Sequence, residues 1–306
     1  MHYSVMKNEV LENLNIKEDG TYVDCTIGLA GHSSEILKKL KKGFLYGFDQ
    51  DDYAINISEN KLSGISNNYK LIRDNFCNMK KDLLELGINE VDGILLDLGV
   101  SSPQIDNKER GFSFMQDAIL DMRMDTRSDL DAKKIVNEYS YEELKNIFYL
   151  FGEEKYAPSI AKNIINYRKD KEINTTLELV KIIESSVPVK YFIKNHPERQ
   201  IFQAIRIEVN SELNVLNEVL PDAINMLKKG GRLCVITFHS LEDRIVKKVF
   251  KKYSEVDELV KGLPVIPDEY KPLIKLVNNK PIIASENEIN ENSRSKSAKL
   301  RIIERI

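Results

Sequence analysis

Four short apolar segments in the first hundred residues constrain the fold of this chain more than any other feature. They cover residues 22–26, 44–48, 71–72 and 91–96, and each is followed within two residues by a glycine or a polar residue. Helical patterns separate the earlier segments, for example around Ile36 and Ala54. Because repeated strand–helix units build parallel sheets with helical crossovers, the sequence predicts an α/β fold with a wound parallel sheet.

The strand–helix rhythm stops between about residue 106 and residue 199, where no buried strand is predicted. Two capping boxes, Ser140 with Glu143 and Thr175 with Glu178, begin helical patterns in this stretch. The stretch is about as long as a small domain. The sequence therefore predicts an inserted all-helical domain.

After the insert, apolar residues recur at three- and four-residue steps and predict a long amphipathic helix that ends at Pro221. Residues 232–238 predict a strongly buried strand, and residues 300–303 a last strand. Residues 285–299 are polar and predict a loop. The predicted domains are a discontinuous sheet domain, residues 1–105 and 200–306, and a helical domain, residues 106–199.

Composition narrows the class of protein. The net charge of −3 gives no overall nucleic-acid signal, and no run of about 18 apolar residues predicts a membrane span. Three cysteines, Cys25, Cys77 and Cys234, are too few and too scattered for a disulfide framework or a zinc site. We therefore expect a cytosolic protein with no metal and no membrane partner.

Three basic clusters interrupt this balanced composition. They lie at residues 38–42, 247–252 and 294–301. Each cluster by itself is more typical of a solvated face than of an RNA-binding site. Convergence of the clusters around one sheet would favour RNA binding.

The loop after the first predicted strand combines an acid with two glycines. Residues 24–33 read Asp-Cys-Thr-Ile-Gly-Leu-Ala-Gly-His-Ser, and Ser33 or Ser34 can cap the helix that follows. Glycines let the backbone approach a ligand, but the regular dinucleotide fingerprint is absent. Asp49 ends the second strand about 20 residues on, where an acid can bind ribose hydroxyls. Together these features favour an adenosine ligand over a plain turn.

The kind of adenosine ligand follows from charge. Asp24 would repel a pyrophosphate, whereas a sulfonium cation without phosphates tolerates a nearby carboxylate. S-adenosylmethionine is therefore favoured over a nicotinamide cofactor. Phe76, after the third strand, is predicted either to lie against adenine or to close the core.

The exit of the fourth strand, residues 97–104, carries the most specific signal. Asp97 can polarise an exocyclic amine or hold a cofactor. A helix cap is the alternative, which the lack of a helical pattern after Pro103 disfavours. After the strand at residues 232–238, Ser240 and Asp243 predict a capping pair, and His239 is equally compatible with a substrate contact and with a structural role.

Residues 110–114 and 121–125 open the helical insert with alternating charged and apolar side chains. This pattern favours local salt bridges above a core. The alternative is a lid that carries aromatic side chains near a target base.

These segments together closely resemble the bacterial small-subunit rRNA methyltransferase family RsmH, formerly MraW. The resemblance spans nearly the whole chain, and the stretches with Asp97 and Phe238 are the most specific. The matching residues are 20–33, 49–51, 92–104, 110–114, 120–125, 202–207, 238–247 and 292–300. The resemblance implies a class I, Rossmann-like methyltransferase sheet with an inserted helical domain.

The same resemblance implies a reaction. S-adenosylmethionine would donate a methyl group to the exocyclic N4 of a cytosine in 16S rRNA, at the P site of the decoding centre in the small ribosomal subunit. The implied cofactor contacts are Ala30, Gly31, His32, Asp49, Phe76, Asp97 and Gln104. The family usually has glycine where this chain has Ala30. This departure from the family pattern bears on the backbone conformation of the loop and on the affinity for the cofactor.

A cytosine amine is a poor nucleophile because its lone pair is delocalised into the ring. The site must therefore hold the amine and stabilise the developing positive charge, for which Asp97 or carbonyls around residues 101–103 are suitable. Phe112, Phe114 or Phe238 can stack on an unstacked base. A non-catalytic ribosome assembly factor that binds the cofactor and a nicotinamide oxidoreductase are the two rival functions.

Overall fold

The computed structural model describes residues 4–256 and 258–306. The chain forms two compact units, one made of Met1–Gly99 and Leu213–Ile306 and the other of Val100–Glu212. The helical unit therefore begins six residues before, and ends thirteen residues after, the predicted boundaries at 106 and 199. The late end arises because the helix over Pro197–Val209 buries its apolar side chains, such as Phe202 and Ile205, in the core of the helical unit.

The sheet unit contains one sheet of eight strands among the described residues. The strands are β1 (Thr21–Asp24), β2 (Phe44–Phe48), β3 (Tyr69–Ile72), β4 (Val91–Asp97), β5 (Leu227–Thr237), β6 (Ile274–Leu276), β7 (Ile282–Ile283) and β8 (Lys299–Arg305). Their order is β3-β2-β1-β4-β5-β8-β6, and β7 pairs with β8. The first five strands in this order are parallel, and β8 is antiparallel to its neighbours. The predicted α/β, Rossmann-like sheet is confirmed.

Alternation along the strands builds two cores, one on each face of the sheet. In β4, Ile94 and Leu96 enter one core and Leu95 enters the other. In β5, Val235 and Cys234 divide in the same way. Strands that are covered on both faces have continuous apolar sequences, which is why the apolar run at residues 91–96 predicted β4.

Helices cover both faces of this sheet. The helices of the sheet unit, numbered in chain order, are α1 (Lys7–Asn13), α2 (Gly31–Lys39), α3 (Asp52–Leu62), α4 (Met79–Glu85), α12 (Glu212–Met226, of which Glu212 belongs to the helical unit), α13 (Ser240–Ser254) and α14 (Glu286–Glu291). The first core receives apolar side chains from α4, α12 and α13, and the second receives them from α1, α2 and α14. Burial of both sheet faces places ligand-binding groups at the strand ends.

The helical unit has its own core of apolar side chains, which include Ile135, Phe148, Ile160 and Ile183. Its helices are α5 (Ser102–Asp106), α6 (Ala132–Glu138), α7 (Tyr141–Leu150), α8 (Ala157–Tyr167), α9 (Thr176–Ser185), α10 (Val189–Asn195) and α11 (Pro197–Val209). The two predicted capping boxes are confirmed at the starts of α7 and α9. In the described residues of this unit, pairing of strand type is limited to an isolated bridge between Ile119 and Thr175.

Several local predictions were wrong. The predicted long helix breaks at Ser211, which has a φ of 49°, and Pro221 lies inside α12 rather than ending a helix. The predicted loop at 285–299 contains α14 and a 3₁₀ helix at Ser293–Ser297. The edge strands β6 and β7 were not predicted, because they span only three and two residues.

Among the helices of the described residues, none is both long enough and apolar enough to traverse a lipid bilayer.

Candidate active site

The loop between β1 and α2 reaches the carboxyl edge of the sheet in a left-handed conformation. Gly28 has a φ of 51° and Ala30 a φ of 52°. Ala30 is fully buried, and it rather than Ser33 or Ser34 precedes the first turn of α2. A Cβ on Gly31 would lie 1.8 Å from Ser4 Oγ. Gly31 is therefore required for packing against Ser4, and a close approach of this backbone to a ligand stays a prediction.

The buried carboxylate of Asp24 holds this loop through hydrogen bonds. Its Oδ2 accepts the Ser33 hydroxyl at 2.6 Å and its Oδ1 accepts the Thr26 N–H at 3.1 Å. The side chain of Asp24 is 1% exposed. Burial raises the pKa of Asp24 above its usual value, although the hydrogen bond from Ser33 opposes the rise. Ser33 thus serves the strand exit, not the helix cap that the sequence predicted.

Thr26 connects the exits of β1 and β4. Its hydroxyl oxygen accepts the Asp97 N–H at 2.7 Å, and its Oγ1 lies 3.4 Å from Asp24 Oδ1. This chain of contacts holds the backbone of Asp97 at the edge while its carboxylate stays available. Sequence reasoning did not select Thr26, although a hydroxyl two residues after a buried acid was a visible signal.

His32 and Asp97 face each other at this edge. Nε2 of His32 lies 3.6 Å from Oδ2 of Asp97, which exceeds hydrogen-bond distance. Neither ring nitrogen of His32 nor Oδ1 of Asp97 has a hydrogen-bond partner among the described residues, although all three atoms are buried. Because buried polar atoms in native proteins are rarely left unsatisfied, these atoms mark a place for a polar ligand.

Asp49 ends β2 and contacts the same loop. Its Oδ2 accepts the Gly28 N–H at 3.0 Å, and its Oδ1 accepts the Asp51 N–H at 2.9 Å. Burial raises the pKa of Asp49 to about 7, in spite of these two backbone hydrogen bonds. Each carboxylate oxygen has a further lone pair with which it can accept a ribose hydroxyl. The structure thus brings together the two features from which the adenosine ligand was predicted.

Phe76 follows β3 in a short 3₁₀ helix, Phe76–Asn78. Its ring is partly buried and packs against the first core. Asn75 donates from Nδ2 to Gln50 Oε1 at 2.9 Å and so joins the exits of β3 and β2. Core packing of Phe76, one of its two predicted roles, is therefore present.

Gln104 lies in the helical unit. Its Oε1 accepts the Ser101 N–H at 3.0 Å at the start of α5, and the residue is 6% exposed. The sequence predicted no helix after Pro103, which is wrong, because Ser101 and Gln104 form a capping box around that proline. Asp97 is not the cap of this helix.

The exit of β5 lies beside that of β4. A Cβ on Gly99 would approach the Phe238 ring to 3.5 Å. Glu242 Oε2 accepts the N–H groups of Phe238 at 2.8 Å and His239 at 3.2 Å, so His239 and Glu242 form the capping pair that was predicted at Ser240 and Asp243. Nε2 of His239 lies 3.1 Å from Glu242 Oε1. His239 is thereby the N-cap residue of α13, while both of its buried ring nitrogens lack a hydrogen-bond partner among the described residues, so a substrate contact stays a prediction.

The two charged segments that open the helical unit are held by local contacts. Arg123 forms a two-pronged ion pair with Asp121, at 2.8 and 2.9 Å. Arg110 donates to the Arg123 carbonyl at 2.8 Å, and Phe114 packs edge-on against Phe202 at 5.7 Å between ring centroids. The prediction of salt bridges is confirmed for residues 121–125, and the aromatic side chains of residues 110–114 pack against the core of the helical unit.

The fold and the site together define a Rossmann-like methyltransferase. A model of the MraW methylase family matches residues 1–306, and the chain belongs to that family.

Two relatives, both named ribosomal RNA small subunit methyltransferase H, are similar over the full chain. The protein of Exiguobacterium sibiricum is 51% identical over 306 residues, which cover 100% of this chain and 98% of that protein. The protein of Lactobacillus gasseri is 50% identical over 313 residues, which cover 100% and 99%. A solved structure of a putative rRNA methylase from Clostridium thermocellum is 14% identical, with a TM-score of 0.47, and the match covers 100% of this chain and 99% of that one.

Proposed function

We propose that this chain transfers a methyl group from S-adenosylmethionine to the exocyclic N4 of a cytosine at the P site of the decoding centre in 16S rRNA. One observation carries the proposal: buried, unpartnered atoms of His32, in the first turn of α2, and of Asp97, at the end of β4, face each other in a member of a methylase family. The names of the two relatives support small-subunit rRNA as the substrate. The cytosine N4 and the P site rest on the family resemblance.

The residues at the sheet edge fit this cofactor. S-adenosylmethionine, when bound, supplies a methyl group on a positively charged sulfur. Asp49 would accept its ribose hydroxyls, and Asp97 supplies the negative charge that a sulfonium tolerates and a pyrophosphate does not. The Ala30–His32 turn and Phe76 are the further proposed contacts in the sheet unit. Gln104 is proposed as a contact on the family motif alone.

Asp97 is the proposed catalytic residue. Its N–H is held by Thr26, so the carboxylate is fixed at the strand exit and Oδ1 is free of hydrogen bonds from the described residues. A carboxylate in this position accepts an N–H of the cytosine amine, holds the amine in line with the methyl group, and takes up the proton that N4 loses. Phe238, whose ring lies beside Gly99 and is partly buried, is the residue that we propose to stack on the unstacked base.

The helical unit is the proposed substrate-recognition domain. It folds around its own core and interrupts the sheet unit directly after the β4 exit. The small ribosomal subunit is the proposed partner, and the cytoplasm the proposed compartment. The methylase family and the absence of a dinucleotide fingerprint both weigh against a nicotinamide oxidoreductase.

Labelled methyl transfer tests this proposal against a non-catalytic assembly factor. Immature small subunits from a strain that lacks the protein are incubated with it and with labelled S-adenosylmethionine, and the modified nucleotide is mapped by mass spectrometry. We expect one methyl group on N4 of a P-site cytosine. Cofactor binding without transfer would favour the assembly factor, and a methyl group on another atom or nucleotide would overturn the proposed target.

A further inference from the structure

Helix α13 has two chemically distinct faces. Val246 and Phe250 are buried against the core of the sheet unit. The exposed face carries four lysines. They are Lys247, Lys248, Lys251 and Lys252, and we call them the lysine stripe. The stripe is one of the three basic clusters in the sequence, and the structure shows which charged residues lie near it.

The carboxylates within α13 do not neutralise the stripe. Glu242 is buried at the helix start, where it accepts backbone N–H groups. Asp243 is bound by Arg301 Nε at 2.7 Å and by Lys299 at 3.4 Å. Although burial by itself would raise it, these cations hold the pKa of Asp243 below its usual value. Two members of the third basic cluster therefore meet α13 through Asp243.

The lysines themselves have few acidic neighbours. Lys251 lies 3.9 Å from Glu255, which is a long and exposed contact. Within residues 4–256 and 258–306, Lys247, Lys248 and Lys252 make no ion pair. An array of exposed, uncompensated lysines repels itself, so it is favourable when an anion binds along it.

Helix α13, which carries the stripe, starts close to the strand exits that form the candidate site. Two residues separate the end of β5 from the start of α13, and β5 pairs with β4 so that Ile236 lies opposite Asp97. At 1.5 Å per residue, the stripe begins about 10 Å and ends about 18 Å along the helix axis from Ser240. The lysines therefore lie on the helix that follows the β5 exit, next to the β4 exit that carries Asp97.

Helix stability explains only part of the pattern. Lysines in the last turn of a helix are stabilised by its macrodipole, which accounts for Lys251 and Lys252. Lys247 and Lys248 lie in the middle of the helix, where this effect is absent. The first basic cluster is a useful contrast, because Lys38 pairs with Glu35 and Lys41 with Glu18.

We propose that the lysine stripe of α13 binds the sugar–phosphate backbone of the rRNA strand that flanks the target nucleotide. The inference rests on the proposed function and adds a docking surface to it. Phosphate contacts of this kind position a strand without reading its sequence. Lys299, which pairs with Asp243 on α13 and is partly exposed, lies opposite Thr237 at the end of β5.

The test compares two matched double variants. Lys247→Gln with Lys248→Gln removes two charges from the stripe. Lys39→Gln with Lys42→Gln removes two exposed lysines at the opposite edge of the sheet, next to the start of β2. Affinity for immature small subunits, and for the isolated 16S rRNA segment around the P site, is measured from low to high salt, beside transfer rates and cofactor affinity.

We expect the stripe variant to lower the slope of log affinity against log salt by roughly 1.4, which corresponds to about tenfold weaker binding at 0.15 M salt. The rate at saturating RNA and the cofactor affinity stay unchanged, and the control variant binds like the wild type. Equal RNA affinities in the stripe and control variants would overturn the inference. If the wild-type protein binds the RNA but transfers no methyl group, the proposed function fails while the slope still decides the stripe.

Discussion

At the scale of single residues, ionisation and backbone conformation determine what the sheet edge can bind. Asp49 accepts N–H groups from Gly28 and Asp51, so its carboxylate has a fixed orientation whether or not a ligand is present. Its raised pKa means that ionisation is opposed in the free protein and is favoured by hydroxyl donors. Cofactor affinity should therefore depend on pH through this residue.

Affinity for S-adenosylhomocysteine is expected to fall as the pH drops below about 7, the pKa to which burial raises Asp49. Protonation removes the charge that the ribose hydroxyls would donate to, so the loss approaches about tenfold per pH unit well below the pKa. Calorimetric titrations between acidic and alkaline pH measure it. The Asp49→Asn variant binds more weakly at high pH and lacks this part of the pH dependence; parallel profiles for the two proteins would contradict the assignment.

Ala30 illustrates opposing effects of similar size at one position. A left-handed conformation costs an L-residue roughly 1–2 kcal/mol, which is why it favours glycine. Burial of the Ala30 methyl group stabilises the fold by about 0.8 kcal/mol. The smaller loss of chain entropy on folding favours alanine over glycine by roughly a further 0.5–1 kcal/mol. Since these effects nearly cancel, alanine is tolerated in the left-handed turn at this position.

At the scale of secondary-structure elements, helix caps position the strand exits. Glu242 at the start of α13 and Glu178 at the start of α9 make the same pair of contacts. Glu178 Oε2 accepts N–H groups of Asn174 at 2.8 Å and Thr175 at 3.2 Å, the distances that Glu242 makes to Phe238 and His239. They differ in exposure, because the Glu242 side chain is 3% exposed and the Glu178 side chain 21%.

Replacement of Glu242 by alanine is expected to lower the free energy of unfolding by roughly 2–4 kcal/mol, since two partly buried N–H groups lose a buried acceptor. The matched Glu178→Ala change is expected to cost about 1 kcal/mol, because water replaces the lost acceptor. Urea unfolding followed by circular dichroism measures both. Equal losses would show that burial does not distinguish the two caps.

At the scale of the whole molecule, the sequence predicted the parts of the fold that depend on apolar burial. The bounds of β2 were predicted without error, and those of β4 to within one residue, because both strands are buried on two faces. The edge strands β6 and β7 are short and partly exposed, so they leave no apolar run. The break at Ser211 depends on one backbone angle, which composition does not reveal.

Some residues of the candidate site were likewise predicted from the sequence, and others were not. Asp49, Asp97 and the first loop were predicted because charged groups and glycines at strand exits have no packing role. Thr26 and Ser33 were missed as site residues because small hydroxyl side chains are common in turns. Their importance follows from contacts with Asp24 and Asp97 that only the three-dimensional structure reveals.

The most direct test of the whole account is the Asp97→Asn variant, with cofactor binding and methyl transfer measured separately on the same preparation. Asparagine keeps the size of the side chain, and the bond to Thr26 is made by the backbone N–H, so the fold is retained. The account predicts a roughly 10²–10⁴-fold lower transfer rate to immature small subunits at saturating cofactor, the usual loss of a general base, with a much smaller change in cofactor affinity. A transfer rate within a few-fold of the wild type would contradict it.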